Sequence, residues 1–211
     1  MKRRSIICGG LLLVLGALPA SASDLAGMIA ALKQGGHVMV FRHAATDDSQ
    51  KDVYPLNFDD MKAQRQLSEK GRETARQIGA AMRGSGIPIG EVYASRLNRA
   101  IEMGKLLSGK DVAAVEALTD SGGSASGMAN PTGANAKAGL AMRELVNAAP
   151  KTNTNNLLVT HKTNFADAFG KEAGGVQEGE AFVYMPGAAG GPAAFVGRIK
   201  PEDWVSQARM N

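Results

Sequence analysis

The chain has 211 residues, 44% of them hydrophobic and 21% charged, the composition of a globular protein and not of a disordered chain, a collagen repeat or a coiled coil. Of the formal charge of +4, three units sit on Lys2, Arg3 and Arg4, and residues 1–22 hold no acid, so the rest of the chain carries only +1. That balance lacks the basic footprint of a nucleic-acid binder.

Residues 1–22 read as an export signal: the basic start, an apolar stretch from Ile6 to Leu18, and Ala20-Ser21-Ala22 as a small-x-small cleavage site. The stretch is shorter than the roughly 20 residues of a membrane span. Arg3-Arg4 hints at twin-arginine export, but its surroundings fit that route poorly. Cleavage after Ala22 removes the one cysteine, Cys8, and leaves residues 23–211 as a single expected domain without disulfide, thiol nucleophile or later membrane span. A bacterial periplasmic or secreted location is expected.

In chain order, a short helix is predicted over 24–33, then a buried strand over 37–41 and a polar loop over 44–66. A helix follows from Ser68, its N-cap, to Gly84, with Ala75, Ile78, Gly79 and Met82 on one face. A strand over 91–95, a helix over 97–108 and a strand over 112–118 come next. Residues 121–136 read as a Gly/Ser/Ala/Asn loop. A helix over 137–148 would turn Leu140, Ala141 and Leu145 inward. A strand over 156–160, a short helix over 163–170, a hairpin of 181–185 with 193–199, and a helix over 201–209 complete the chain. Strands alternating with helices predict a three-layer α/β/α fold with a mostly parallel central sheet, whose ligands sit outside the carboxyl ends of the strands.

At those ends the sequence places Arg42-His43, then Ser95 and Arg96 with Arg99 one turn further, Thr119-Asp120, and Thr160-His161. Arginine presents a rigid, permanently charged fork that suits phosphate. Histidine can attack phosphorus and carry the phosphoryl group covalently, and a second histidine can hydrogen-bond the phosphoryl oxygens in the transition state. Arginines that supply the positive charge make a metal or other cofactor unnecessary.

Four stretches, VFRHAATD at 40–47, QRQLSEKGRETARQIG at 64–79, VYASRLNRAIE at 92–102 and LLVTHKTN at 157–164, resemble in order and spacing the motifs of the histidine phosphatase superfamily, also called phosphoglycerate mutase-like. The resemblance implies that fold, with His43 as the nucleophile, Arg42, Arg65 and Arg99 binding the phosphoryl group, and His161 as the second pocket histidine. There are departures. Ala44 stands where glycine is usual, Arg96 where proline is usual, Met103-Gly104 for Thr-Ala, and Lys162 follows His161 where glycine is common. The general acid is the weakest assignment. Asp120 is the best candidate, with Glu116 further down the third strand and Asp47 and Asp48 in the first loop as rivals.

Several residues take structural readings. His37 lies roughly 20 Å from His43 at strand rise, so the two cannot share a site or a metal. Arg96 is read as a surface residue. Asp47, Asp48, Asp52, Asp59 and Asp60 are read as a solvated loop without calcium-loop spacing, and 121–136 as a connection placed to act as a lid. The expected function is an exported, metal-independent phosphomonoesterase acting through phosphohistidine on a small phosphorylated substrate, with no nucleic-acid or membrane partner after signal cleavage and an open oligomeric state. Two alternatives stay open: a non-catalytic phosphate- or anion-binding module on the same fold, and a metal-bound hydrolase.

Overall fold

The computed structural model describes residues 25–120 and 134–210; the expected leader and the Gly/Ser stretch up to residue 133 lie outside them. Six strands form one sheet: β1 (Val38–Arg42), β2 (Ile89–Ala94), β3 (Ala113–Ala114), β4 (Asn155–Thr160), β5 (Ala181–Met185) and β6 (Ala194–Ile199). Their spatial order is β3-β2-β4-β1-β5-β6. The first four run parallel, while β5 lies antiparallel to both β1 and β6. The expected mostly parallel sheet and terminal hairpin are both present.

The helices are α1 (Leu25–Gln34), α2 (Glu69–Gly84), α3 (Asn98–Ser108), α4 (Ala134–Asn147), α5 (Lys162–Phe169) and α6 (Pro201–Met210). Alternation along β1 explains the three layers. Met39 and Phe41 point into a core built with α1, α2, α3 and Trp204 of α6, whereas Val38 and Val40 point into a second core with α4 and α5. A strand buried on both faces must be apolar at every position, which is why VMVF reads as an unbroken run. On α2 the expected face of Ala75, Ile78, Gly79 and Met82 is buried.

Two expectations are corrected. The strand over 112–118 shrinks to Ala113–Ala114, after which Glu116–Leu118 forms a tight 3-10 turn. Leu118 gains full burial by turning inward, and its carbonyl accepts the Thr160 hydroxyl at 2.7 Å, so core packing overrides an exposed edge pairing. In α4 the buried residues are Gly139, Met142 and Val146, Leu145 packs beside them as expected, and Leu140 faces solvent. The glycine sets this rotation, because a Cβ there would stand 2.3 Å from the Asp167 carbonyl oxygen of α5.

A second close approach concerns the loop after β1. Ser68 caps α2 by accepting from the Gly71 amide, and both its own amide and its hydroxyl donate to the Ala45 carbonyl. Gly71 lies against that same carbonyl, so that a Cβ would come within 2.0 Å of its oxygen. The Leu-Ser-x-x-Gly stretch is thus a clasp that holds residues 43–45 on the first turn of α2. Gly71→Ala is expected to destabilise the protein by about 1–3 kcal/mol through overpacking, while Gly84→Ala, where a Cβ meets nothing within 4 Å, stays near neutral; urea unfolding of the two variants checks this.

Candidate active site

Strand register decides which side chains meet. Arg42 of β1 is level with Thr160 of β4, and Ala94 of β2 is level with Val159. The next residue along each strand is His43, His161 and Ser95, so all three emerge at one edge. The His43 amide donates to the Thr160 carbonyl and the Ser95 amide to Val159, carrying the ladder to the point where the chains leave the sheet. The two imidazole rings lie edge to face with centroids 5.1 Å apart.

Hydrogen bonding assigns their tautomers. His43 Nδ1 lies 2.8 Å from the Ala44 carbonyl, which can only accept, so Nδ1 carries the proton and Nε2 presents a lone pair. Burial, then the Arg99 charge, pushes the His43 pKa down to about 3, keeping the ring neutral and nucleophilic. His161 Nε2 lies 2.7 Å from Ser95 Oγ. That hydroxyl also accepts from the Leu97 amide; where it gives its own proton to His161 Nε2, the His161 proton sits on Nδ1. Burial, followed by the neighbouring His43 and Arg99, holds His161 well below its ordinary range.

Three arginines surround this pair, and each bears on the charge of both histidines. Arg42, at the end of β1, donates through Nη1 to the Val176 carbonyl and through Nη2 to Glu178. Residues 176–180 reach it because β5 runs antiparallel and therefore begins at the edge where β1 ends; the Gly179 amide donates back to the carbonyls of Arg42 and His43. Arg99 enters from the first turn of α3 and is 2% exposed. Arg65 lies just before the clasp. Among the described residues, the buried Nε of each has no hydrogen-bond partner, and neither has His161 Nδ1. Four orphaned donors around one neutral nucleophile match the acceptors of a tetrahedral oxyanion.

The structure thus brings together His43, His161, Arg42, Arg65 and Arg99. Asp120 stands at the same edge, after Thr119, whose hydroxyl accepts from the Arg96 amide and whose carbonyl accepts from Asn164 of α5. It lies close enough to the half-exposed Tyr54 to raise the phenol's pKa together with Asp52, behind the larger effect of burial. Glu116 is not near the core as expected: it is solvent-exposed and pairs with Arg96 at 3.1 Å, because the 3-10 turn swings it outward. Arg96 also covers the Phe58 ring at 3.9 Å and is a surface residue, as expected. His37 is remote, with Nδ1 on the Gly35 carbonyl and its amide on Asn155. Lys162, the exposed first residue of α5, makes no contact with the phosphoryl donors that the structure shows.

Asp52 overturns its reading as a solvated loop acid. Its carboxylate is 2.8 Å from Arg99 Nη1, with only 11% of the side chain exposed. No signal in the sequence separates it from its four acidic neighbours, since the loop fold alone brings it inside. Ser95 is the other residue sequence reasoning missed as a site member, although it lies within the third motif.

Beside the arginines, a cleft of about 270 Å³ is lined by Asp48, Gln50, Lys51, Asp52, Tyr54 and Arg65. A larger apolar cleft, about 430 Å³, lies against Phe169, Phe182, Tyr184, Phe195 and Arg198 and contains none of the site residues, whereas the smaller one includes Arg65 and Asp52. Among the described residues no group of three or more His, Cys, Asp or Glu side chains is placed to hold a metal ion, and no helix is long and apolar enough to cross a membrane.

Comparison with known proteins agrees with this geometry. The histidine phosphatase superfamily (branch 1) matches residues 38–138. No curated protein matches the sequence. Among solved structures, the protein histidine phosphatase SixA complexed with tungstate superposes with a TM-score of 0.53 at 16% identity, covering 79% of this chain and 98% of that one. Phosphoserine phosphatase from Entamoeba histolytica gives 0.52 at 12% identity, covering 78% and 96%. The mycobacterial glucosyl-3-phosphoglycerate phosphatase gives 0.53 at 15% identity, covering 76% and 96%.

The two depressed histidines give a pH prediction. Each is neutral when folded but binds a proton near pH 6.5 when unfolded, so stability is greatest above 6.5 and falls as the pH drops below it, for His43 down to about 3. His43→Gln removes one such group. Urea unfolding between pH 7.5 and 4.5 is expected to show a shallower acid loss in the variant than in the wild type. The match to the histidine phosphatase superfamily over residues 38–138 agrees with the fold and with the geometry of this sheet edge.

Proposed function

We propose that the protein is a phosphomonoesterase that works through a phosphohistidine intermediate. The observation that carries this reading is the set of four orphaned donors around the unprotonated Nε2 of His43. The phosphoryl oxygens of R–O–PO3 settle against Arg42, Arg65, Arg99 and His161 Nδ1. His43 Nε2 attacks phosphorus in line, and the bond from phosphorus to the alcohol oxygen breaks. The charge gained by the imidazole is shared through Nδ1–H with the Ala44 carbonyl. Asp120 gives its proton to the departing alkoxide and then takes one from the water that hydrolyses the phosphohistidine, so the cycle ends with free phosphate and His43 restored. The arginines supply the electrostatic stabilisation that a metal would otherwise provide.

Further support comes from solved structures of the same fold: a protein histidine phosphatase, a phosphoserine phosphatase bound to phosphoserine and a glucosyl-3-phosphoglycerate phosphatase. The leader-like composition of residues 1–22 supports export; N-terminal sequencing of the protein recovered from a bacterial periplasm should begin at Ser23.

Residues 23–211 are expected to hydrolyse a generic aryl phosphate equally with and without EDTA. His43→Ala should fold yet lose at least about 1,000-fold in kcat, and Asp120→Asn about 10–100-fold on substrates with poor leaving groups. Turnover that survives in His43→Ala would sink the mechanism. Loss in EDTA would favour a metal-bound hydrolase. Phosphate binding without turnover of any ester would favour a binding module.

A further inference from the structure

Asp52 belongs to none of the four motifs, yet it is the side chain on which the two inner arginines are hung. Its Oδ1 accepts from Arg99 Nη1 at 2.8 Å and from the backbone amide of Arg65 at 3.0 Å. Arg99 Nη1 donates in turn to the Arg65 carbonyl at 3.3 Å. One carboxylate oxygen, one guanidinium nitrogen and both polar groups of one residue's backbone form a closed ring. Among the described residues, Nη1 makes both of these Arg99 hydrogen bonds, and the buried Nε is left over.

We propose that Asp52 is a positioning residue for phosphoryl transfer: by clamping Arg99 Nη1 and the Arg65 backbone with one oxygen, it sets the angle at which both arginines meet the phosphoryl group. The proposal rests on the phosphatase reading and deepens it. A guanidinium is planar, so fixing one nitrogen against two acceptors fixes the direction of the other N–H bonds. Arg99 leaves α3 near its N-terminus, and Arg65 sits on a loop tied to that helix end by Gln64, whose side-chain oxygen accepts from the Asn98 amide. Helix and loop are separate elements, and the Asp52 oxygen links both arginines directly. Asp52 also lines the polar cleft shared by Tyr54 and Arg65.

A rival role is open to the same carboxylate: a charge counterweight, or plug, that competes with phosphate for Arg99. The two roles predict opposite orders for two variants. Asp52→Asn keeps the oxygen in place and removes the charge. Asp52→Glu keeps the charge and moves the oxygen by about one bond length. Positioning predicts that Asn stays within about fivefold of wild type in kcat/KM for an aryl phosphate and in vanadate affinity. It predicts that Glu loses about 30–100-fold in kcat/KM, the scale of an ångström's misplacement, with vanadate bound about tenfold more weakly.

The reverse order, or tighter vanadate binding by Asn than by wild type, would overturn the proposal. So would two folded variants indistinguishable from wild type. Thermal unfolding in the same buffer reads the folded fraction; if Glu does not fold, Asp52→Ser, whose oxygen falls short of Arg99, takes its place with the same expected losses. Should wild type itself turn over no ester, the phosphatase reading fails, and the vanadate affinities alone still rank the variants.

Discussion

Three guanidinium groups gathered at one sheet edge around two buried imidazoles repel one another and lose hydration, and the surrounding architecture answers that cost. Burying unpaired cations is expensive, so two of the three arginines are held by neutral or negative oxygen: Arg42 by the Val176 carbonyl and Glu178, Arg99 by Asp52 and the Arg65 carbonyl. The histidines answer the same constraint by staying unprotonated. What remains is a set of N–H bonds with nothing to donate to. A fold that leaves such donors buried accepts a stability penalty that an oxyanion would relieve.

The sheet makes this arrangement reproducible. His43, Ser95 and His161 are each the residue after a parallel strand, so a shift of one position in β1, β2 or β4 would turn its side chain away from the edge. The register is in turn fixed by apolar residues on both faces: Met39, Phe41, Leu157 and Val159 against one set of helices, Val38, Val40 and Leu158 against the other. Core packing is therefore the source of the geometry of the candidate site. The antiparallel β5 adds what a parallel strand could not, since its start, with Val176 and Glu178 just before it, lies beside the end of β1.

How much of this was legible in the sequence follows from how local each signal is. Strand ends, the Ser68 cap and the α2 face are written in runs of a few residues, and the two histidines and three arginines could be placed from those runs and the resemblance. Asp52 could not. It lies thirteen residues before Arg65 in a loop where five aspartates look alike, and only the loop's closure, with the side chain of Gln64 bonded to the carbonyls of Asn57, Phe58 and Asp60, selects which one turns inward. Glu116 fails for a similar reason. Read as a strand, its position pointed toward the core; the demand of Leu118 for burial turned the strand into a 3-10 turn and sent the acid outward. Leu140 was misread because the close contact at Gly139 outweighs the burial of one leucine.

The tautomers carry the last step. A histidine can serve as nucleophile through either nitrogen, and as donor through either, so two adjacent neutral imidazoles admit four proton arrangements. Here backbone and hydroxyl choose one. The Ala44 carbonyl can only accept, which fixes the His43 proton on Nδ1; the Ser95 hydroxyl accepts from the Leu97 amide with one lone pair, and when it donates to His161 Nε2 the His161 proton sits on Nδ1. The outcome is one ring offering a lone pair and the other offering an N–H, the complementary roles that attack on phosphorus and stabilisation of its oxygens require. Neither partner is an ionisable group in the working pH range, so the division of labour between the two rings is set by hydrogen-bond valence and not by titration.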